Sequence, residues 1–283
     1  MSTKPNDSTE RPSDSSGGPD QAEQEEASER QRLSAVTVFE TVRGEGDEEL
    51  KRPVLSLWWS GIAAGIALST SVLAEAVLHR ALAGSAAQEA ISALGYAIGF
   101  VLVILARLQL FTENTISVVL PVLAEPSGDK LWRTARLWAV VFVANLVGTF
   151  ATAFIALKFG TTTPENTAAM LEVSRKVLEQ ASWPGFFRAI PAGFYIAAIV
   201  WMLPSSKGFE VFTILLFAWL IAAGAFAHVI VGSAEVFLLV VNGELGFWTA
   251  FSTILLPVLA GNVIGGTGLF AFLAYGQTEG GEE

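Results

Sequence analysis

The chain has 283 residues, of which 52% are apolar and 16% are charged, with a positive mean hydropathy and a net charge of −10. This composition excludes an ordinary soluble domain and is typical of a protein that lies in a bilayer. The acidity belongs to the ends, since residues 1–50 hold 13 acidic and five basic side chains whereas residues 51–277 have a net charge of +1. Cysteine is absent, which rules out disulfides and thiolate metal sites.

The N-terminal segment 1–50 is predicted to be a mostly disordered acidic tail. Its first 30 or so residues are rich in Ser, Asp, Glu, Pro and Gly and contain almost no large apolar side chain, so they bury too little apolar surface to offset the entropy of ordering. They lack the basic start and apolar core of a cleavable signal, so the first membrane helix is expected to direct insertion. Residues 278–283 form a second acidic tail. The predicted membrane domain is therefore 51–277.

Six apolar spans are predicted in this domain. The first, third, fourth and sixth are continuous and cover residues 54–78, 137–157, 186–203 and 251–274. The second and fifth consist of shorter pieces, 91–106 with 115–123 and 211–227 with 236–241. Crossing the hydrocarbon core takes about 20 helical residues. The second and fifth spans are therefore predicted to be broken helices, with the fifth broken over residues 228–235.

A repeated phrase relates the two halves of the membrane domain. Residues 144–149 in the third span read Ala-Asn-Leu-Val-Gly-Thr, and residues 261–267 in the sixth read Gly-Asn-Val-Ile-Gly-Gly-Thr. Asn145 follows Thr112 at the first break by 33 residues, and Asn262 follows His228 at the second by 34. Because each half has three spans, the second repeat must be inserted upside down, and such folds place a transport pathway where their broken helices meet.

The distribution of basic residues predicts the orientation in the membrane. Seven lie near one proposed face and five near the other, and an excess of Lys and Arg marks the cytoplasmic side. We therefore expect both termini in the cytoplasm, in a prokaryotic cytoplasmic membrane.

His228 and Thr112 are the main candidates for contact with a solute. His228 is one of two histidines, and an imidazole can donate a hydrogen bond or pass a proton near neutral pH; the alternative is a histidine that only caps the second half-helix. Thr112 can offer its hydroxyl to a ligand or cap the half-helix after it, and both can be true. The half-helices present the positive ends of their dipoles to the breaks, which favours a bound anion.

Further polar and aromatic residues surround the breaks. Asn145 and Asn262 are expected to orient the break loops by donating amide hydrogens to loop carbonyls, with direct contact to a solute as the alternative. Tyr96 and Phe100 lie one turn apart before the first break, where they form either an apolar constriction or ordinary packing.

Three charged residues, Arg107, Glu113 and Glu235, flank the breaks. An unpaired charge within a membrane is expensive. Arg107 and Glu113 would form a supporting ion pair unless they lie at opposite ends of the loop.

Four motifs in order resemble the formate/nitrite transporter family, over about residues 50–277. They are Leu110-Phe111-Thr112, Asn145-Leu146-Val147-Gly148, His228 and Asn262-Val263-Ile264-Gly265-Gly266. The resemblance implies six spans per protomer in an aquaporin-like arrangement without Asn-Pro-Ala motifs, a separate pore in each protomer, and a homopentamer. It also implies passage of small monovalent anions such as formate, nitrite or hydrosulfide.

The family's functional residues carry over by position. His228 resembles the central histidine, Thr112 the loop threonine and Asn262 the asparagine nearby. The constriction side chains of the family fall at Tyr96, Phe100 and Ile221. A tyrosine in place of an apolar ring, Glu113-Asn114 after the threonine and Gly232-Ser233-Ala234-Glu235 after the histidine indicate a divergent branch.

The resulting prediction is an all-α integral membrane protein that conducts small weak-acid anions, with His228 donating a hydrogen bond or a proton. Its partners are the anions, protons and membrane lipid; no cofactor, metal or nucleic acid is expected. The alternatives are a pore for water or small neutral solutes, and a non-conducting scaffold whose acidic tail recruits soluble partners. An enzyme is not expected, because the spacing places no second histidine, serine or carboxylate arrangement beside His228.

Overall fold

The computed structural model describes residues 33–279, which form helices and connecting turns without a β-strand. Residues 1–32 and 280–283, and the predictions made for them, lie outside the described residues. We number the helices α1 (Ala35–Lys51), α2 (Val54–Leu68), α3 (Thr70–Ala81), α4 (Gln88–Leu105), α5 (Asn114–Ser117), α6 (Leu120–Ala124), α7 (Gly128–Phe159), α8 (Pro164–Ser174), α9 (Trp183–Met202), α10 (Glu210–Ala223), α11 (Val229–Asn242) and α12 (Phe247–Thr278).

The predicted fold class, six crossings with two broken helices, is confirmed. Five apolar stretches are long enough to cross a membrane: Val54–Ala81, Gln88–Leu105, Gly128–Phe159, Trp183–Ser205 and Phe247–Thr278. Three shorter apolar helices complete the pattern: Asn114–Ala124, Glu210–Ala223 and Val229–Asn242. The second crossing consists of α4, which is itself long enough to cross, a break at residues 106–113, and then α5 and α6; the fifth consists of α10 followed by α11.

Two glycines show that the repeats are packed in the same way. A Cβ on Gly65 in α2 would lie 2.2 Å from the backbone oxygen of Asn145 in α7. A Cβ on Gly193 in α9 would lie 2.2 Å from the backbone oxygen of Asn262 in α12. In each repeat the first and third spans therefore touch backbone to backbone, which requires small residues at the crossing.

Helix α1 corrects the predicted end of the acidic tail. The segment 1–50 was predicted to be mostly disordered, but residues 35–51 are helical and one face is buried. The buried residues of α1 are Val38, Phe39, Val42, Gly46 and Leu50. The first three pack against Ile116 and Leu120 beside the first break. The acidic composition hid this helical spacing of apolar residues, which supplies the burial that the preceding segment lacks.

Capping residues determine where the helices begin and end. Ser127 begins α7, and its Oγ accepts the Lys130 N–H at 3.2 Å. Gly160 ends the same helix in the left-handed conformation, with φ of 63°. Gly243 ends α11 in the same way, with φ of 84°. These side-chain and glycine caps satisfy backbone groups that a helix end leaves free.

Candidate functional site

Asn145 holds the first break through its side chain. Its Oδ1 accepts the Phe111 N–H at 2.9 Å, and its Nδ2 donates to the carbonyls of Gly61 and Gln109, both at 2.8 Å. The side chain is fully buried. It therefore satisfies three backbone groups at a place where lipid offers no partner and water is scarce.

Asn262 holds the second break with the same set of bonds. Its Oδ1 accepts the Val229 N–H at 2.8 Å, and its Nδ2 donates to the carbonyls of Ala189 at 2.8 Å and Ala227 at 2.9 Å. It is also fully buried. The structure thus contains the predicted bonds from both asparagines to loop carbonyls, and these bonds occupy both N–H groups of each amide.

The matching bonds identify which residues of the two breaks correspond. Gln109 and Phe111 occupy the places of Ala227 and Val229. Leu110, which is fully buried, therefore corresponds to His228. The sequence spacing predicted that Thr112 is the counterpart of His228 in the first repeat. This prediction is wrong by two residues, because spacing counts residues and does not show which backbone groups the asparagines anchor.

His228 and Thr112 nevertheless meet. The imidazole Nε2 lies 2.7 Å from the Thr112 Oγ1, and the two residues are 2% and 0% exposed. The Nδ1 accepts the Val231 N–H at 3.3 Å. A backbone amide can only donate, so in this hydrogen-bonding pattern the ring is neutral and its proton lies on Nε2, which donates to Thr112.

The hydroxyl proton of Thr112 is then available for a further bond. Within residues 33–279, His228 is the partner of its Oγ1. Because that oxygen accepts from the ring, its own proton can be donated to an incoming acceptor. The histidine also caps α11, so the capping role and a role in ligand contact do not exclude each other.

The second break is shorter than predicted and lies before the histidine. Helix α11 starts at Val229, so residues 228–235 are not a loop, and Glu235 lies on the helix. The cap on Val231 by His228 explains this early start. The chain turns at Ala225, whose φ is 52°, and at the corresponding Arg107, whose φ is 53°.

The charged residues of the first break are not paired with each other. The Arg107 Nη2 lies 3.3 Å from the Oε1 of Glu45 in α1, and the Gln109 Nε2 donates to the Oε2 of Glu49 in α1 at 2.7 Å. The Glu113 Oε1 is buried, without a hydrogen-bond partner in the described part of the chain. Helix α1, which the sequence analysis missed, therefore takes the place of the proposed Arg107–Glu113 pair.

Of the three predicted constriction residues, Phe100 lies beside the histidine and Tyr96 lies beside Phe100. The Phe100 ring is fully buried and contacts the imidazole edge-on, with ring centroids 4.9 Å apart. The Tyr96 and Phe100 centroids are 5.5 Å apart. Ile221 is fully buried near the end of α10, where its carbonyl accepts the Phe226 N–H at 2.9 Å.

A threonine in α12 supports the loop that carries Thr112. The Thr267 Oγ1 donates to the Thr115 carbonyl at 2.5 Å, and the Thr115 Oγ1 donates to the Thr112 carbonyl at 2.7 Å. In the other repeat, Thr149 lies 2.9 Å from Ser233 of α11, the residue that corresponds to Thr115. Each third span thus holds the half-helix of the opposite repeat.

The extra glycine of the second phrase has a structural cause. The phrase at 262–267 is one residue longer than the phrase at 145–149, and the segment Ile264–Ala271 is π-helical. A π-bulge accommodates one extra residue within a helix and is frequent at functional sites. The bulge allows Thr267 to occupy the place that Thr149 has in the first repeat.

A cavity of about 440 Å³, which we call the vestibule, reaches His228. Its lining includes Glu89 at the start of α4, whereas the other end of α4 leads to Arg107, which contacts α1. Tyr96, Phe226 and Gly232 lie on its wall. Six charged side chains also line it: Glu75, Glu89, Lys176, Glu179, Arg188 and Glu235.

Comparison with known proteins gives a consistent match over the folded part. The family model described as formate/nitrite transporter matches residues 36–276, a range that begins with α1. The inner membrane protein YfdC of Escherichia coli K12 is 37% identical over 243 residues, which cover 86% of this chain and 78% of that protein. The formate channel FocA of Haemophilus influenzae is 24% identical over 274 residues, with coverage of 85% and 94%.

Solved structures share the fold. A pentameric formate channel with formate bound has a TM-score of 0.68 at 21% identity and covers 80% of this chain and 97% of that one. An FNT family ion channel has a TM-score of 0.74 at 16% identity, with coverage of 85% and 98%. The family match and the bacterial relative at 37% identity lead to one conclusion: this chain is a membrane protein of the formate/nitrite transporter family.

Proposed function

We propose that the chain conducts small monovalent weak-acid anions, such as formate or nitrite, through a pore in each protomer of a homopentamer. The observation that carries the proposal is the buried pair of His228 and Thr112, of which His228 lines the vestibule. Family membership and the names of the relatives, which include formate channels, support it. The protein would lie in a prokaryotic cytoplasmic membrane, surrounded by lipid and with both termini in the cytoplasm.

The pair can bind an anion with a hydrogen bond that is strengthened by its neighbour. The Thr112 hydroxyl donates to the anion while it accepts the Nε2–H of His228, and such chains of hydrogen bonds polarise one another. Both residues are buried, so the interaction is weakened less by water than at a surface. We infer that His228 acts as a hydrogen-bond donor through Thr112.

The remaining site residues have positioning and sealing roles in this proposal. Asn145 and Asn262 fix the loops that carry Leu110 and His228. Phe100, Tyr96 and Ile221 form the apolar barrier next to the binding place, where a bare charge would lose its hydration. An anion that leaves the Thr112 hydroxyl therefore crosses this barrier more readily as its neutral acid.

Flux into liposomes tests the proposal. The purified pentamer is reconstituted, and entry of formate and nitrite is followed with an internal pH dye and an anion assay. We expect saturable entry in the wild type, a loss of entry in His228→Phe, and a smaller reduction in Thr112→Val. Thr112→Ser, which keeps the hydroxyl, is the matched control and should conduct.

Other outcomes would redirect the function. An intact wild-type pentamer that shows no anion entry contradicts the proposal. Osmotic swelling in the absence of anion entry would indicate a pore for water or neutral solutes. Equal entry in wild type and His228→Phe would remove the histidine from the pathway.

A further inference from the structure

The hydrogen bonds of His228 leave the source of a proton unassigned. Its Nδ1 is occupied by the Val231 N–H. Donation of the Nε2 proton without prior protonation of Nδ1 would leave an imidazolate, which is far too basic to form here. If the cargo crosses the apolar barrier as a neutral acid, another group must supply the proton.

The two cations of the vestibule are already paired. Lys176 forms a short contact with Glu89, and the Arg188 Nη1 lies 3.9 Å from the Glu179 Oε2. Behind Glu89, the Nδ1 of His79 lies 3.7 Å from its carboxylate. Lys176 and Arg188 therefore each have a carboxylate partner at the vestibule.

Two carboxyl groups of the vestibule, Glu75 of α3 and Glu235 of α11, have no such partner. Within residues 33–279 neither makes a hydrogen bond or an ion pair, and both are half-buried on the cavity wall. Two carboxylates that share a cavity repel each other, and a proton bound by one of them relieves the repulsion. The other titratable or charged groups that line the vestibule with Glu235 are Glu75, Glu89, Tyr96, Lys176, Glu179, Arg188 and His228.

Glu235 lies on the same face of α11 as the histidine. His228, Gly232 and Glu235 are spaced by four and three residues, which places them in one row along a helix, and all three line the vestibule. The residue between the two side chains is a glycine. A Cβ at Gly232 would have a single neighbour within 4 Å, the Val177 side chain at 3.9 Å. The space between Glu235 and His228 is therefore open to a small solute.

We propose that Glu235, assisted by Glu75, gives a proton to the anion in the vestibule and thereby selects cargo that can be protonated. The proposal rests on the function proposed above. The O–H bond of the Glu235 carboxyl breaks and an O–H bond to the anion oxygen forms, which yields the neutral acid and a carboxylate. A hydronium ion from the external solution, relayed through water in the vestibule, then returns a proton to the Glu235 carboxylate and is left as water.

This role gives the vestibule a substrate preference. A weak-acid anion such as formate can accept the proton and enter the apolar barrier uncharged. A strong-acid anion such as nitrate stays charged, so it meets the two carboxyl groups in a vestibule whose cations already have carboxylate partners. The pore should therefore favour weak-acid anions over strong-acid anions of similar size.

Uptake at controlled pH distinguishes proton donation from other roles. Proteoliposomes carry the wild type, E235Q, E75Q or E179Q, and formate and nitrate entry is measured at external pH values between about 5 and about 8. E179Q is the matched control, because Glu179 lines the same vestibule beside Arg188. We expect formate entry in E235Q to fall on the order of tenfold at neutral pH and to recover at acid pH. E75Q should show a smaller shift in the same direction, and E179Q, which removes a vestibule carboxylate but leaves Glu235 and Glu75 in place, should keep the pH dependence of wild-type formate entry.

The conservative variant E235D separates chemistry from packing. It keeps a carboxyl group and should recover most formate entry, whereas a purely structural role would leave both variants impaired for formate and nitrate alike. Unchanged or faster formate entry in E235Q overturns the proposal, as does an equal loss of nitrate entry. If E235Q does not form a pentamer, E75Q provides the test. A pH dependence of formate entry in E75Q that equals that of the wild type contradicts the proposal. A wild type without formate entry at any pH contradicts the proposed function itself.

Discussion

The two breaks are held by the same set of hydrogen bonds to the backbone but have different residues at their centres. In both, an asparagine from the third span of the repeat binds one loop N–H and two carbonyls. The central position of the first loop is Leu110, and that of the second is His228. The comparison separates two requirements that the sequence motifs mix: the asparagines satisfy the backbone of the broken helices, and the residue between the anchored groups is the position at which the proposed function requires a histidine.

The surroundings of the two breaks also differ, because one break is covered by protein and the other faces the vestibule. The first is closed by α1, whose Glu45 and Glu49 reach Arg107 and Gln109. The second opens towards the vestibule through His228. One break is thus covered by polar contacts within the protein, whereas the other faces a space that a solute can occupy.

The largest expected effect comes from removing either anchor. Asn145→Leu and Asn262→Leu each leave one buried loop N–H and one buried loop carbonyl without a partner, and each unsatisfied group costs about 1–3 kcal/mol. We expect both variants to lose most of their thermal stability in detergent, to a similar extent. A large loss in one variant and none in the other would contradict the equivalence of the two breaks.

A smaller effect is expected at the threonines that support the half-helices. Thr267→Val leaves the buried Thr115 carbonyl without its donor and should cost about 1–3 kcal/mol. Thr149→Val should cost about 1 kcal/mol, because Ser233 keeps its bond to the Ile230 carbonyl. Thermal unfolding of both variants measures the difference, and Thr267→Ser should restore the wild-type value. Equal losses of stability in Thr267→Val and Thr149→Val would contradict the expected difference between the two supporting threonines.

One residue in each of the two turns has a left-handed backbone conformation, and its replacement by glycine should stabilise the fold. Ala225 and Arg107 have φ values of 52° and 53°, which cost a residue with a Cβ about 1 kcal/mol. Ala225→Gly should raise the unfolding temperature. Arg107→Gly should raise it less, because it also removes the contact with Glu45. Ala222→Gly within α10 is the control and should lower stability; a loss at Ala225 as well would contradict this explanation.

The smallest effect concerns pH and the ends of the two half-helices. The Lys130 ammonium lowers the pKa of Glu125 after α6, and the Arg175 guanidinium lowers the pKa of Glu244 after α11. Each carboxylate therefore stabilises the fold above its unfolded-state pKa, and this contribution disappears as the pH falls through its folded-state pKa. Both groups are exposed, so the change is small.

Unfolding temperatures between about pH 6 and about pH 3 test the effect of these pairs. The wild type should lose slightly more stability on acidification than Glu125→Gln or Glu244→Gln. A variant with the same pH dependence as the wild type would show that its ion pair does not contribute.

The six crossings, the two broken helices and the candidate residues around them follow from the amino-acid sequence. Apolar length must match the thickness of a bilayer, and pieces too short to cross must be joined. The repeated phrases at 145–149 and 262–267 located the anchoring asparagines. The apolar residues of 35–51 recur at helical spacing and indicate α1 in spite of the acidic composition of this segment.

The tertiary structure alone decided how these residues meet. It brings His228 to Thr112 across 116 residues of sequence and makes Leu110 the counterpart of the histidine. It also pairs the vestibule cations with Glu89 and Glu179, which leaves Glu75 and Glu235 without partners in the described part of the chain. Periodicity and composition describe only neighbours along the chain, whereas these contacts depend on helix crossings that bring distant segments within hydrogen-bonding distance.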